Sequence, residues 1–228
     1  MSQKNSLLWI ILYGFLGTFA ILYGLVIQKD IVVTFIVFHL IVCLGIPVLH
    51  GWREGRLRKH WRDAWLGGKL NRANLLLSLG SGLFLLAAIV LGVWLLFRRS
   101  ADPQWVRTVL VTWGIRQQTL WLFGAYLIIV NSLLEELLWR GFIQQRLLLH
   151  LPDWQAIGLS SFFYALYHLI IGVVLFGWKW GMLITVLVYV VGAGWGWMKR
   201  RHPTLYVTWF SHLLADTGIV LCLYWWIF

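Results

Sequence analysis

Residues Leu133 to Phe142 read LLEELLWRGF, two adjacent glutamates and an arginine set in an apolar run. How that run is read decides the fold. Its flanks are apolar too, and the whole chain is 61% hydrophobic and 12% charged over 228 residues, too apolar and too sparsely charged for a soluble domain. Runs of about 20 apolar residues can cross a hydrocarbon core as helices rising about 1.5 Å per residue. Roughly seven such runs can be marked, at 6–27, 31–50, 73–97, 119–139, 156–177, 180–198 and 204–228. The expectation is an all-α, polytopic transmembrane helical bundle. The fourth run carries LLEELLWRGF and should continue as one helix through RGFIQQRLLLH to about His150, where Pro152 and Asp153 stop it.

The first run follows a single lysine, is too long for a signal-peptide core and has no small-residue cleavage site after it, so it is expected to be retained. Of the 17 tryptophans, Trp9, Trp52, Trp94, Trp105, Trp178, Trp180, Trp197, Trp225 and Trp226 fall near expected helix ends, where the headgroup layer favours indole. The net charge of +11 does not point to nucleic acid, because the bases lie between the apolar runs as orientation signals do. Seven Lys/Arg in GWREGRLRKHWRDAWLGGKLNR and three in MKRRHP place those loops in the cytoplasm and the N-terminus inside, which puts 13 of 19 bases on that side. On the other side DPQWVRTVLVTWGIRQQ reads as an interfacial amphipathic helix. Cys43 and Cys222 occupy separate runs and read as packing residues. With no repeat or linker, residues 1–228 form a single integral membrane domain, divided into N-terminal spans and basic loops (1–118) and a core (119–220).

An ionisable side chain in hydrocarbon costs at least about 2.5–3.5 kcal/mol, so each one needs a partner, a wet cavity or a function. Glu135, Glu136, Arg140, His168, His212 and Asp216 qualify, along with His39 in the second run, which reads as an interhelical hydrogen-bond partner. Glu136 and Arg140 are four apart with the acid first, so they pair on one helix face. Glu135 lies about 100° around the helix and is left without that arginine. His212 and Asp216 are also four apart, so the aspartate can fix the imidazole tautomer, and Tyr164 and His168 repeat the spacing. Counted from helix ends near 148, 156 and 204, Glu135, His168 and His212 lie at depths of about 20, 18 and 12 Å, close enough to converge. One carboxylate and two histidines suffice for hydrolysis. The acid takes a proton from water, one imidazole holds that water or protonates the leaving amine, and the other donates to the developing oxyanion.

EELLWR fits E-E-x-x-x-R, YALYH fits F-x-x-x-H with tyrosine first, and HLLAD fits H-x-x-x-N/D, in order on three apolar runs. Together they resemble the CPBP family of glutamate intramembrane proteases, which includes the type II CAAX prenyl endopeptidases, over roughly residues 119–220. The resemblance implies a CPBP core in the C-terminal half and a metal-free, cofactor-free endopeptidase. In it Glu135 activates water with His168, His212 and residue 216 serve the oxyanion, and Glu136 with Arg140 supports them. Tyr164 stands for the usual phenylalanine at a packing position. Asp216 stands for the asparagine of prenyl-protein proteases, and as an ionised acid it cannot donate, so its expected task is to orient or charge His212. The substrate implied is a membrane-associated protein or peptide, and the setting is the bilayer of a prokaryotic cytoplasmic membrane.

Rival readings are a metal-dependent membrane protease, since Glu, His, His and Asp are possible ligands although H-E-x-x-H is absent, and an ion-coupled transporter, against which stand an odd span count and no repeat. A serine enzyme at Ser81 lacks the first glycine of G-x-S-G. A further rival is a non-catalytic peptide-binding or immunity protein on the same scaffold. Gly192 and Gly196 form G-x-x-x-G, a signal of close helix packing.

Overall fold

A computed structural model describes residues 3–55, 57–66, 68 and 71–228, and the described residues contain helices and no strand. Arg56 and Lys69 of the basic loop lie outside the described residues. The helices are α1 (Ser6–Gln28), α2 (Ile31–Arg53), α3 (Leu57–Leu66), α4 (Arg72–Arg99), α5 (Pro103–Thr112), α6 (Gln117–Leu147), α7 (Asp153–Arg201) and α8 (Leu205–Ile227). All but α3 and α5 are long and apolar enough to cross a membrane. In hydrocarbon only a helix or a closed barrel satisfies its own backbone, which is why the apolar runs take this form. Large side chains such as Phe19, Leu76, Phe84 and Val190 are exposed on the flanks, where lipid would meet them.

Six long helices accommodate the seven expected runs because α7 is two helices joined at Gly177, whose φ of 80° only glycine adopts freely. The arms, 153–176 and 178–201, fold back on each other. A Cβ on Gly172 would lie 2.9 Å from Gly181 Cα, one on Gly192 would meet Ser161, and one on Gly196 would meet Ile157. The glycine spacing 192/196 thus marks close packing, as expected. Gly181→Ala should destabilise the bundle by about 1–3 kcal/mol, since its Cβ would fall 2.7 Å from the Val173 nitrogen. Gly194→Ala, in open space on the same arm, should instead be neutral or stabilising by up to about 1 kcal/mol. Unfolding midpoints of the two variants in one detergent check the pair.

The two ends of the bundle are held by different contacts. At one end the α1–α2 turn is capped by Asp30, which accepts from Val32 and Val33 N–H at 2.7 and 2.9 Å. There Ile31 N–H donates to Trp113 C=O at 2.9 Å, and Trp105 Nε1 donates to the Val174 carbonyl at 3.2 Å. The amphipathic segment is present as α5, but its apolar residues Val106, Val109 and Leu110 are buried against the bundle. At the other end Arg146 pairs with Glu54 at 2.6 Å, and Lys199 Nζ donates to the Ala64 carbonyl at 2.8 Å. That bond docks α3, whose Ala64 packs on Leu137 of α6 and Leu205 of α8.

α6 carries the quoted stretch and ends at Leu147, near the expected stop. It widens into π-type turns at Tyr126–Asn131 and Leu137–Ile143, on either side of the regular turn Ser132–Glu136 that bears the two acids. Such turns cost helix geometry and recur at functional sites. α8 packs along α4 through small residues. Ser78 Oγ donates to Val207 C=O at 2.7 Å, and Gly82 and Gly218 admit Leu214 and Leu86.

Candidate active site

The buried charge begins with Arg140. Its guanidinium donates to Glu136 Oε1 at 3.0 Å and to the Gly192 carbonyl at 3.2 Å, and lies 4.4 Å from the Tyr164 ring centre and 5.2 Å from that of Trp195. The i,i+4 pair is therefore formed, fully buried, and tied to the second arm of α7 through a glycine carbonyl. One turn on, Gln144 repeats the device by donating to the Gly196 carbonyl at 2.9 Å. Tyr164 packs beneath the guanidinium, where an aromatic face attracts a cation.

Glu136 has a second partner across the bundle: His212 Nδ1 lies 3.0 Å from the same Oε1. A carboxylate only accepts, so Nδ1 carries the hydrogen. The spacing of His212 and Asp216 predicted that the aspartate would take this task. Instead Asp216 Oδ1 is 3.6 Å from His212 Nε2, and its Oδ2 accepts from Asn131 Nδ2 at 3.0 Å. The reason is the ring's orientation. Trp195 stacks on it at 4.4 Å and 24°, held by an Nε1 bond to Ser211 Oγ at 2.9 Å, and this turns Nδ1 to α6.

Glu135 comes to the other imidazole nitrogen, with Oε2 3.7 Å from His212 Nε2. His212 Nε2 thus faces two carboxylates at contact distance, hydrogen-bonded to neither, and an atom lying to the side of Nε2 and Glu135 Oε2 could be within hydrogen-bond reach of both. Glu135 Oε2 and the Tyr167 hydroxyl are buried and interact with each other, but neither makes a hydrogen bond of good geometry to a described residue. Buried polar atoms rarely stay so without a ligand or a function.

His168 is half-buried on the first arm of α7, and its Nδ1 donates to the Tyr164 carbonyl at 2.8 Å. That bond fixes the neutral tautomer and leaves Nε2 as an acceptor. Tyr164 therefore serves His168 through its backbone, and its ring and that of Tyr167 lie 4.8 and 4.3 Å from the imidazole. Among the described residues no hydrogen bond or ion pair joins His168 directly to Glu135. The structure thus brings Glu135, Glu136, Arg140, His212 and Asp216 into one cluster, with His168 beside it across Tyr164 and Tyr167. No three His, Cys, Asp or Glu side chains among the described residues are arranged to hold a metal ion.

Sequence reasoning passed over Asn131, Trp195 and Tyr167. Asn131 was the most accessible, an amide inside an apolar run four residues before Glu135. His39 is satisfied at both ring nitrogens, as expected of a lone histidine, by Tyr126 OH at 2.9 Å and Asn131 Oδ1 at 3.0 Å. It is not alone, however, because Asn131 connects it to Asp216.

No curated protein and no solved structure matches the chain. Residues 117–218 match a family model described as type II CAAX prenyl endopeptidase Rce1-like, and that stretch includes every member of the charged cluster as well as His168. By that stretch, with Glu135 and Glu136 on α6 and the histidines on α7 and α8, residues 117–218 are similar to the CPBP, CAAX protease-like family of multi-pass membrane proteins.

Proposed function

We propose that the protein is a glutamic-type intramembrane endopeptidase that cuts a membrane-associated protein or peptide with water activated by Glu135. The observation that carries the reading is the convergence of Glu135 Oε2 and Asp216 Oδ1 on one nitrogen of His212, whose other nitrogen is anchored by Glu136 and Arg140. Water lodged beside Glu135 gives up a proton to the carboxylate as its oxygen attacks the scissile carbonyl carbon. His212 Nε2–H donates to the carbonyl oxygen as it becomes an oxyanion, and the Glu136–Arg140 pair holds the imidazole in place. When the tetrahedral intermediate collapses, the C–N bond breaks and the proton on Glu135 passes to the leaving amine. His168, an acceptor at Nε2, holds the attacking water from the other side. Asp216 is the second carboxylate facing His212 Nε2, at 3.6 Å, across from a ring that in this scheme carries hydrogen on both nitrogens.

The same reading places the end bearing α3 in the cytoplasm, on the charge bias of its loops, with the N-terminus on that side. Residues 119–220 supply the chemistry and 1–118 the flanking spans.

The test is purified protein in vesicles with a panel of membrane-anchored peptides, leader-type and C-terminal-tail-type, with products read by mass spectrometry. Wild type should cut at least one peptide with no ion gradient and in the presence of a chelator. His168→Ala should cut the same bond about 10²-fold or more slowly. A peptide that is bound by wild type and never cut would instead make this scaffold a binding protein, and loss of cleavage on chelation would make it a metalloenzyme.

A further inference from the structure

The second span, outside residues 117–218, reaches the charged cluster through His39. His39 of α2 is bonded to Tyr126 and to Asn131, and Asn131 is bonded to Asp216. We propose that His39 and Asn131 are positioning residues, which hold Asp216 so that His212 Nε2 stays free for the substrate oxygen. The inference rests on the hydrolytic reading above and adds a span to the site.

Each link has one direction. Ionised Asp216 only accepts, so the Asn131 group 3.0 Å from its Oδ2 is the amide nitrogen, and the other end of that amide is the carbonyl oxygen. That oxygen lies 3.0 Å from His39 Nε2, which must therefore carry the hydrogen. A neutral imidazole with hydrogen on Nε2 accepts at Nδ1, so the Tyr126 hydroxyl at 2.9 Å donates. His39, Asn131 and Asp216 are all buried, and in hydrocarbon each donor keeps its acceptor for lack of another. Phe35 and Phe38 pack on the His39 ring at 5.1 and 5.0 Å and hold its plane.

What the tether prevents follows from the spacing. Asp216 is one turn from His212 on α8, and its Oδ1 is 3.6 Å from Nε2. Released from Asn131, the carboxylate needs only a small side-chain rotation to bond Nε2 directly. It would then occupy the donor that an oxyanion requires, lowering turnover while leaving the apolar binding surface for the substrate unchanged.

His39→Phe keeps the ring packing and removes both bonds. It should lower kcat about tenfold, the effect of one misdirected hydrogen bond, with KM changed less than about twofold. His39→Gln carries a donor and an acceptor on one flat group and should restore kcat to within about threefold of wild type. Unchanged kcat in His39→Phe overturns the proposal. Equal losses in both variants together with a lowered unfolding midpoint also overturn it, because they mark packing alone. Wild type and Glu135→Gln in the same assay separate the two readings, since a wild type that cuts while Glu135→Gln does not leaves the hydrolase standing whatever His39 does. A readout free of activity is the imidazole nitrogen-15 spectrum of histidine-labelled protein. His39 must appear as the Nε2–H tautomer, and His212 must shift in His39→Phe; an Nδ1–H His39 or an unmoved His212 sinks the tether.

Discussion

Glu135→Gln leaves a folded protein whose turnover falls about 10²–10⁴-fold, the range lost with a general base. The amide has the carboxylate's shape and cannot take a proton from water. Little structure is at stake, because Glu135 Oε2 makes no hydrogen bond of good geometry to a described residue, stands 3.7 Å from His212, and an amide can keep the contact with Tyr167. Removing a charge from a buried site relieves desolvation, so the unfolding midpoint should stay level or rise. Single-turnover cleavage and thermal unfolding of the same preparation measure both quantities. Turnover kept in the variant removes Glu135 from the mechanism, and a variant that unfolds gives Glu135 a structural task in place of the chemical one.

The second large effect belongs to the neighbouring acid and has the opposite character. Glu136→Ala strands Arg140 in a fully buried position and should cost about 3–5 kcal/mol of stability, the range for breaking one half of a buried pair. It also removes the acceptor of His212 Nδ1, so any folded fraction should be inactive. The double variant Glu136→Leu with Arg140→Met separates the two losses. With both charges replaced by apolar side chains, stability should recover to within about 1–2 kcal/mol of wild type. Activity should not, since the imidazole remains unanchored. A stable Glu136→Ala protein would show that the guanidinium finds compensation at the Gly192 carbonyl and the Tyr164 and Trp195 rings, and a fully active double variant would show that His212 needs no anchor.

These two glutamates show how far spacing along the chain carries an argument. That Glu136 takes Arg140 and Glu135 does not is a matter of helix geometry, and the 3.0 Å pair is where i,i+4 spacing puts it. The same rule offered Asp216 to His212, and there it misled only about the hydrogen bond, since the two face each other at 3.6 Å without one. Two residues four apart can meet, but an imidazole has two nitrogens and a rotatable ring. The stacking of Trp195 from another helix turns Nδ1 to Glu136, 76 residues away. His39 misled in the other direction, as an isolated polar residue whose neighbours cannot be named until α2 is rotated against α6.

By itself, then, the chain's pattern determined where its apolar helices lie, the break between 177 and 180, and the motif order that resembles the family, although it counted as two spans what the structure joins in α7. Hydrocarbon leaves a backbone few ways to satisfy itself, and the rise and period of a helix are constants. Only the tertiary structure decided which carboxylate anchors His212, that Asn131 and His39 reach Asp216, and that a glycine carbonyl receives Arg140. Those contacts depend on the rotation and depth at which separate helices pack, and packing is settled by the fit of many side chains at once.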